Sequence, residues 1–412
     1  MKAVRRSAGA CLALVFFVGA CLVGVRTVLD HRAVPALAPG EPVVFLGVGV
    51  GQGSSQGEVE RQSQALGQGQ GQEPWVSAAA AVLIEASTGT VLFGRNADQT
   101  RDPASITKVM TAIIAIERGD LADVVTVSAR AAAVPGSTLG LRAGEQIKLE
   151  ELIRATMLRS GNDGATAIAE HIGGTVEQFV DMMNARARSM GLTRTRFANP
   201  HGLTAPGHYS TARDIARMCA YGLSIPKFAE IVGCTELWAT RIDGDQVKGA
   251  TLVHNTNRLL WSYQGADGVK TGTTSAAGHC LAASATRDGL QLIAVVLKSG
   301  ARFRDAAALL DYGFNNFRRH DIALAGHEVA SALVERGVVP SVGLATASTV
   351  RAVVRVSEAG RLRTVVDCPA RPQAPVRTGQ HLGWLRVFVD DEEVEAYPLY
   401  ATADVGRRWG LW

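Results

Sequence analysis

Asp102-Pro103-Ala104-Ser105-Ile106-Thr107-Lys108, continued by the apolar run 109–116, is the stretch on which the reading of this chain turns. Asp102 suits an N-cap and Pro103 a first helical residue, so the sequence predicts a helix that begins here and enters a core. Ser105 then lies in the first turn, beside backbone N–H groups without an intrahelical partner, and Lys108 follows at i+3 on the same face. A serine hydroxyl is a weak nucleophile at neutral pH, and a lysine amine becomes a base only where burial or a neighbouring cation lowers its pKa. The rest of the chain therefore has to supply a partly desolvated pocket and a second positive group. Alone, Ser-x-x-Lys reads more readily as a capped helix start with a surface lysine.

Upstream, residues 78–85 and 90–93 are short apolar strands around Ser87-Thr88-Gly89, a hairpin turn. Before them, 31–74 is rich in Gly, Gln, Ser and Pro and ends in Gln68-Gly69-Gln70-Gly71-Gln72. It has too little apolar surface to offset the entropy of ordering it, and reads as a disordered tether. Residues 1–30 open with Lys2, Arg5 and Arg6 and continue into the apolar run 8–25, which fits a signal-peptide core or a short N-terminal membrane anchor. Val18-Gly19-Ala20-Cys21 resembles a lipoprotein cleavage box, although Leu22 to Val25 stay apolar. Each of these readings predicts export.

Downstream, 124–127 reads as a strand and 149–158 as a helix, interrupted by Arg159-Ser160-Gly161-Asn162-Asp163. A helix over 165–171 follows, then an amphipathic one over 175–190 with Val176, Phe179, Val180, Met183 and Ala187 inward. The loop Phe197-Ala198-Asn199-Pro200-His201-Gly202-Leu203 leads to a helix capped by Ser210 or Thr211 and running to Tyr221. A polar region separates it from Gly268-Val269-Lys270-Thr271-Gly272-Thr273-Thr274. Strands over 279–286 and 290–298 meet at Arg287-Asp288-Gly289, and a helix over 304–317 completes an α+β unit spanning 75–318. From 319 to 412 no comparable helix appears. Residues 350–356 and 362–366 alternate around Ala359-Gly360, and 385–389 pairs with 394–399 across Asp390-Asp391, which predicts a small antiparallel β domain.

Three motifs now stand in order: Ser105-Ile106-Thr107-Lys108, Ser160-Gly161-Asn162 and Lys270-Thr271-Gly272. The ordered set, at a helix start, in a break between helices and entering a strand, resembles the penicillin-recognising serine acyltransferases. Residues 78–317 are similar in particular to the low-molecular-weight D-alanyl-D-alanine carboxypeptidases, and the region beyond is similar to that family's C-terminal β domain.

The resemblance implies a β-lactamase/transpeptidase-like catalytic domain and a peptidoglycan substrate, stem peptides ending in D-Ala-D-Ala, with β-lactam antibiotics as inhibitors. It implies that Ser105 forms an acyl-enzyme with Lys108 taking its proton, and that Ser160 and Lys270 relay a proton to the departing D-alanine. Asn162 would bond Lys108 and the substrate amide, backbone N–H groups of Ser105 and Thr273 would hold the oxyanion, and Lys270 and Thr271 would meet the terminal carboxylate. Gly272 and Thr273 complete the substrate-binding set. A β-lactamase or a D,D-endopeptidase uses the same site. A class A β-lactamase, however, needs a glutamate base after the second motif, and 193–203 contains neither Asp nor Glu.

The formal charge of +4 on 412 residues gives no case for nucleic acid. No cluster has metal-ligand spacing, so His201 and His208 read as loop residues, and no cofactor is called for. Cys219, Cys234, Cys280 and Cys368 would meet an oxidising exterior, where three pairings or free thiols stay open. The expectation is an exported serine D,D-carboxypeptidase on the outer face of the cytoplasmic membrane, attached through its N-terminal segment if that segment is uncleaved.

Overall fold

The computed structural model describes residues 72–408 apart from 244, 245 and 370. The export segment 1–30, most of the tether, Cys11, Cys21 and the tail 409–412 lie outside the described residues. A five-stranded antiparallel sheet runs in the order Val91–Arg95, Ala80–Glu85, Leu290–Ser299, Gly278–Arg287, Ala266–Thr274. Within Leu290–Ser299, Ile293, Val295 and Leu297 enter one hydrophobic cluster while Leu292, Ala294 and Val296 enter another. Side chains alternate between the faces of a pleat, and here both faces are covered, so the sequence reads as one apolar run.

Helices gather on the first face. The most enclosed is Lys108–Arg118, in which every residue from Lys108 to Ala115 is buried, as a helix apolar on all sides requires. Truncating Ile113, fully enclosed in this cluster, to alanine should cost about 2–5 kcal/mol. Around it pack Leu149–Arg159, Asn162–Gly173, Val176–Ser189, Ala212–Leu223 and Pro226–Gly233. On the opposite face the helix Arg302–Asn316 buries Ala306, Leu309 and Leu310. Thr175 and Thr211 cap their helices by accepting from the N–H groups of Gln178 and Asp214 at 3.1 and 3.0 Å.

Several expectations need correction. Asp102 and Pro103 do not begin the α-helix. Pro103 leads into a 3-10 turn, Ala104–Thr107, and the α-helix starts at Lys108 without a side-chain cap at either junction. Ala104 takes φ +48°, which no helix accepts, so Ser105 belongs to a tight turn in front of the helix. The second motif's helix begins at Asn162, earlier than 165. The polar region after Tyr221 holds the helix Pro226–Gly233 and a hairpin, Glu236–Asp243 with Gln246–His254, which extends a minor sheet begun by Val124–Thr126 and Gln146–Lys148.

The C-terminal strands have their own core, including Leu344, Val387 and Leu399. A five-stranded sheet runs Glu328–Leu333, Ser341–Thr346, Glu392–Ala401, His381–Val389, Leu362–Asp367. Its hairpin across Asp390-Asp391 pairs Val389 with Glu392. Val350–Arg355 does not pair with Leu362–Asp367. It pairs with Phe317–Ala323, and Ala359-Gly360 lies in a 3-10 segment between. Cys219, Cys234, Cys280 and Cys368 are free thiols, and among the described residues no helix is long and apolar enough to cross a membrane.

Candidate active site

The Ser105 turn is wedged between two glycine backbones. A side chain on Gly202 would stand 1.9 Å from the Ala104 carbonyl oxygen, and one on Gly272 would stand 2.9 Å from that of Pro103 and 3.2 Å from the Ser105 nitrogen. Only glycine allows these approaches. Close packing by the loop Asn199–Leu203 on one side and the strand Ala266–Thr274 on the other accompanies the left-handed Ala104 and sets Ser105 at the floor of a cleft. Asn199 fixes that loop: its Oδ1 accepts from the N–H of Gly202 at 2.7 Å and its Nδ2 donates to the Leu203 carbonyl at 2.8 Å.

Lys108 Nζ lies 3.1 Å from Ser105 Oγ and 2.7 Å from both Asn162 Oδ1 and the His201 carbonyl oxygen. The side chain is completely buried. Burial holds its pKa well below the ordinary lysine range, the Lys270 cation lowers it further, and Asp163 pulls in the other direction. A neutral amine has two N–H donors and one lone pair. Asn162 Oδ1 and the His201 carbonyl can only accept, so they take both donors, and the lone pair is left for the Ser105 hydroxyl proton. The second Asn162 group is also spoken for in part, since its Nδ2 donates to the Pro135 carbonyl at 2.7 Å. One N–H of that amide remains for a ligand.

Lys270 is as deeply buried as Lys108, and its Nζ has no hydrogen-bond partner among the described residues. Burial, with Arg302 beside it, lowers its pKa to about 7. Thr271 Oγ1 lies 2.6 Å from Thr256 Oγ1. Thr273 Oγ1 donates to the Gly272 carbonyl at 2.7 Å and accepts from Arg302 at 2.9 Å, while Arg302 also donates to the Gly272 carbonyl at 3.1 Å. Ser160 sits in a left-handed conformation at φ 69° and is buried, with no side-chain hydrogen bond among the described residues.

Sequence reasoning named no role for several groups. Asp163 is fully buried; its carboxylate accepts from Thr138 Oγ1 at 2.5 Å and from the N–H groups of Leu139 and Gly164 at 2.9 Å and of Leu141 at 3.1 Å. It pins the loop that forms one wall of the cleft, and its adjacency to Ser160-Gly161-Asn162 was its only signal. Arg302 carried no signal, because it reaches the site from a separate helix start. The two histidines are neutral props. The Ala198 N–H donates to His208 Nδ1 at 3.0 Å, so the ring proton is on Nε2 and donates to Thr107 Oγ1 at 2.8 Å. Burial lowers His208 to about 4, and burial with Lys108 and His208 nearby lowers His201 to about 3.

A serine, a buried amine beside its hydroxyl and a second buried amine without a hydrogen-bond partner among the described residues make an arrangement suited to acyl transfer. The family profile described as D-alanyl-D-alanine carboxypeptidase matches residues 68–301, and that described as penicillin-binding protein 5, C-terminal domain, matches 317–407. D-alanyl-D-alanine carboxypeptidase DacF of Bacillus subtilis is 35% identical over 339 residues, covering 80% of this chain and 86% of the relative. DacC of Escherichia coli is 32% identical over 359 residues, covering 82% and 88%. The crystal structure of penicillin-binding protein 5 from Haemophilus influenzae superposes with a TM-score of 0.74 at 30% identity, covering 82% of this chain and 99% of that one. With both of its profiles matched in order and the three motifs gathered in one cleft, the chain belongs to the D-alanyl-D-alanine carboxypeptidase family, the low-molecular-weight penicillin-binding serine hydrolases.

Proposed function

We propose that this protein removes the terminal D-alanine from peptidoglycan stem peptides through an acyl-enzyme on Ser105, and that penicillin acylates the same serine. The observation that carries the proposal is the set of Lys108 contacts, 2.7 Å to each of two obligate acceptors and 3.1 Å to Ser105 Oγ. In the first step Ser105 Oγ attacks the carbonyl carbon between the two D-alanines as its proton passes to Lys108 Nζ. Backbone N–H groups of Ser105 and Thr273 hold the oxyanion. The C–N bond then breaks, the proton taken by Lys108 is relayed through Ser160 and Lys270 to the leaving amine, and D-alanine departs with Lys108 neutral again. The substrate's carboxylate lies against Lys270, Thr271 and Arg302, and the free N–H of Asn162 meets the substrate amide.

Water then attacks the ester carbon while Lys108 takes a proton from it; the acyl C–O bond breaks, Lys108 returns that proton to Ser105 Oγ, and the shortened stem leaves as a carboxylate. The carboxylate beside the second motif does not serve this step, because Asp163 is engaged by Thr138, Leu139, Leu141 and Gly164. A penicilloyl group keeps its leaving portion tethered over the cleft, so its ester should persist. That argues against a β-lactamase. The basic start and apolar run 8–25 support export and work outside the cytoplasmic membrane, with attachment through this segment if it is retained.

Intact-mass spectrometry of the full chain, incubated with penicillin and separately with diacetyl-Lys-D-Ala-D-Ala, tests the proposal beside Ser105→Ala. A lasting penicilloyl mass absent from the variant, together with released D-alanine, is expected. Penicillin consumed without an adduct would instead identify a β-lactamase.

A further inference from the structure

Next to the strand Ala266–Thr274 the surface opens into a groove of about 610 Å³, lined by Thr256, Arg258, His279, Arg302, Phe303 and Arg304 among others. It adjoins the carboxylate end of the cleft directly. Thr256 touches Thr271, and Arg302 touches Thr273 and Gly272. Three guanidinium groups line it. None of them forms an ion pair with a carboxylate among the described residues, and Arg302 donates only to Thr273 Oγ1 and to the carbonyls of Gly272 and Cys280. Arg258 and Arg302 repel one another closely enough that Arg302 is held below the usual guanidinium range, with burial the larger cause.

This is an excess of positive charge for the task proposed above. A terminal D-alanine brings one carboxylate, which Lys270, Thr271 and Arg302 meet. Arg258 and Arg304 lie beyond, exposed on the lining of a groove large enough for further atoms and paired with no protein anion among the described residues. Elsewhere on the catalytic domain some arginines find partners, such as Arg154 with Glu150 and Arg213 with Asp98. The groove is thus short of an anion that it does not supply itself.

We infer that Arg258 and Arg304 form a leaving-side subsite for a second carboxylate, so that the enzyme takes substrates whose departing residue is a free diacid such as D-glutamate. The inference rests on the acyl-enzyme reading and deepens it. The covalent steps are unchanged: the same C–N bond breaks, and the departing amine carries a larger, doubly anionic residue into the groove. Arg302 anchors the carboxylate nearest the scissile bond, and Arg258 and Arg304 the more distant one. His279, 3.5 Å from Thr273 Oγ1 through Nδ1, closes the strand side.

The test is steady-state release of the C-terminal residue by the full chain from diacetyl-Lys-D-Ala-D-Ala and from diacetyl-Lys-D-Ala-D-Glu. It is run on the natural sequence, on the double variant Arg258→Gln, Arg304→Gln, and on Arg258→Lys, Arg304→Lys. The ratio of kcat/KM for the D-Glu peptide to that for the D-Ala peptide should fall about tenfold in the glutamine variant, through KM, and recover in part in the lysine variant. An unchanged ratio would overturn the subsite, as would failure of the natural sequence to cleave the D-Glu peptide while it cleaves the D-Ala peptide. Absence of D-alanine release from the first peptide would overturn the carboxypeptidase reading itself, and the subsite with it.

Discussion

In the cleft, Lys108 and Lys270 are completely buried with no ion pair to either nitrogen among the described residues, whereas in the C-terminal domain Arg361, Arg363 and Arg386 each lie against a surface carboxylate, on Asp390, Asp391 and Asp367. The cost of stripping water from a cation is the same physics in both places. At the surface the charge keeps its solvent and a partner adds little. In the cleft neither compensation is present, and the proteins' answer is a lowered pKa: burial first for both lysines, then Lys270 acting on Lys108 and Arg302 acting on Lys270. Charge left unpaired inside is charge available for chemistry, while charge paired outside only shapes the surface.

The contrast can be broken most sharply at Lys108. Lys108→Met should leave the fold, since an unbranched apolar chain suits a buried helix start, yet lower the rate of Ser105 acylation by about 10²–10⁴, the usual worth of a general base. Stopped-flow penicillin acylation measures it. A rate within a few-fold of the natural sequence would mean that another group takes the serine proton.

Lys270→Met removes the cation that helps hold Lys108 down, so the Lys108 pKa rises and the acidic limb of the acylation profile moves to higher pH. KM for the peptide should rise with the loss of a carboxylate contact. The same variant reads out on stability. Folded Lys270 titrates at about 7 against 10.5 unfolded, so between these values the unfolded chain binds the extra proton, and stability rises with pH across that window. In Lys270→Met that contribution disappears, as urea unfolding at several pH values will report.

A smaller effect belongs to Asp163. Asp163→Asn turns an amide group toward backbone donors at Leu139, Leu141 and Gly164, and should lower stability by about 2–3 kcal/mol. Penicillin acylation slows with it, because the wall behind Asn162 loosens. Smallest of all is Arg361→Gln. Its partner Asp390 is half exposed, and the melting temperature should move by no more than about 2 °C.

The motifs were legible because each is local: Ser105 and Lys108 are three residues apart, Ser160 and Asn162 two, and the hairpin at Arg287-Asp288-Gly289 announces itself by turn chemistry. Asp288 and Gly289 do take positive φ, at 49° and 75°. What stayed hidden depends on distant contacts. The start of the Lys108 helix is set by Gly202 and Gly272 pressing on Ala104 and Pro103, nearly 100 and 170 residues away. Val350–Arg355 chose Phe317–Ala323 over its nearer neighbour, and strand alternation carries no record of partner. Arg302 enters the cleft from a helix whose sequence speaks only of its buried face. The hairpin Glu236–Asp243 with Gln246–His254 is polar enough to pass for a loop.

The measurement closest to the central claim is the titration of the Lys108 side chain itself, by NMR of ¹³Cε and ¹⁵Nζ in lysine-labelled protein with Lys108→Met for assignment. The Lys108 signal should show a neutral amine well below the ordinary lysine range, and its titration should move up in Lys270→Met. A Lys108 that is still protonated at about pH 9, near the range of a free lysine, would contradict the account, since its lone pair would then not be free to take the Ser105 proton.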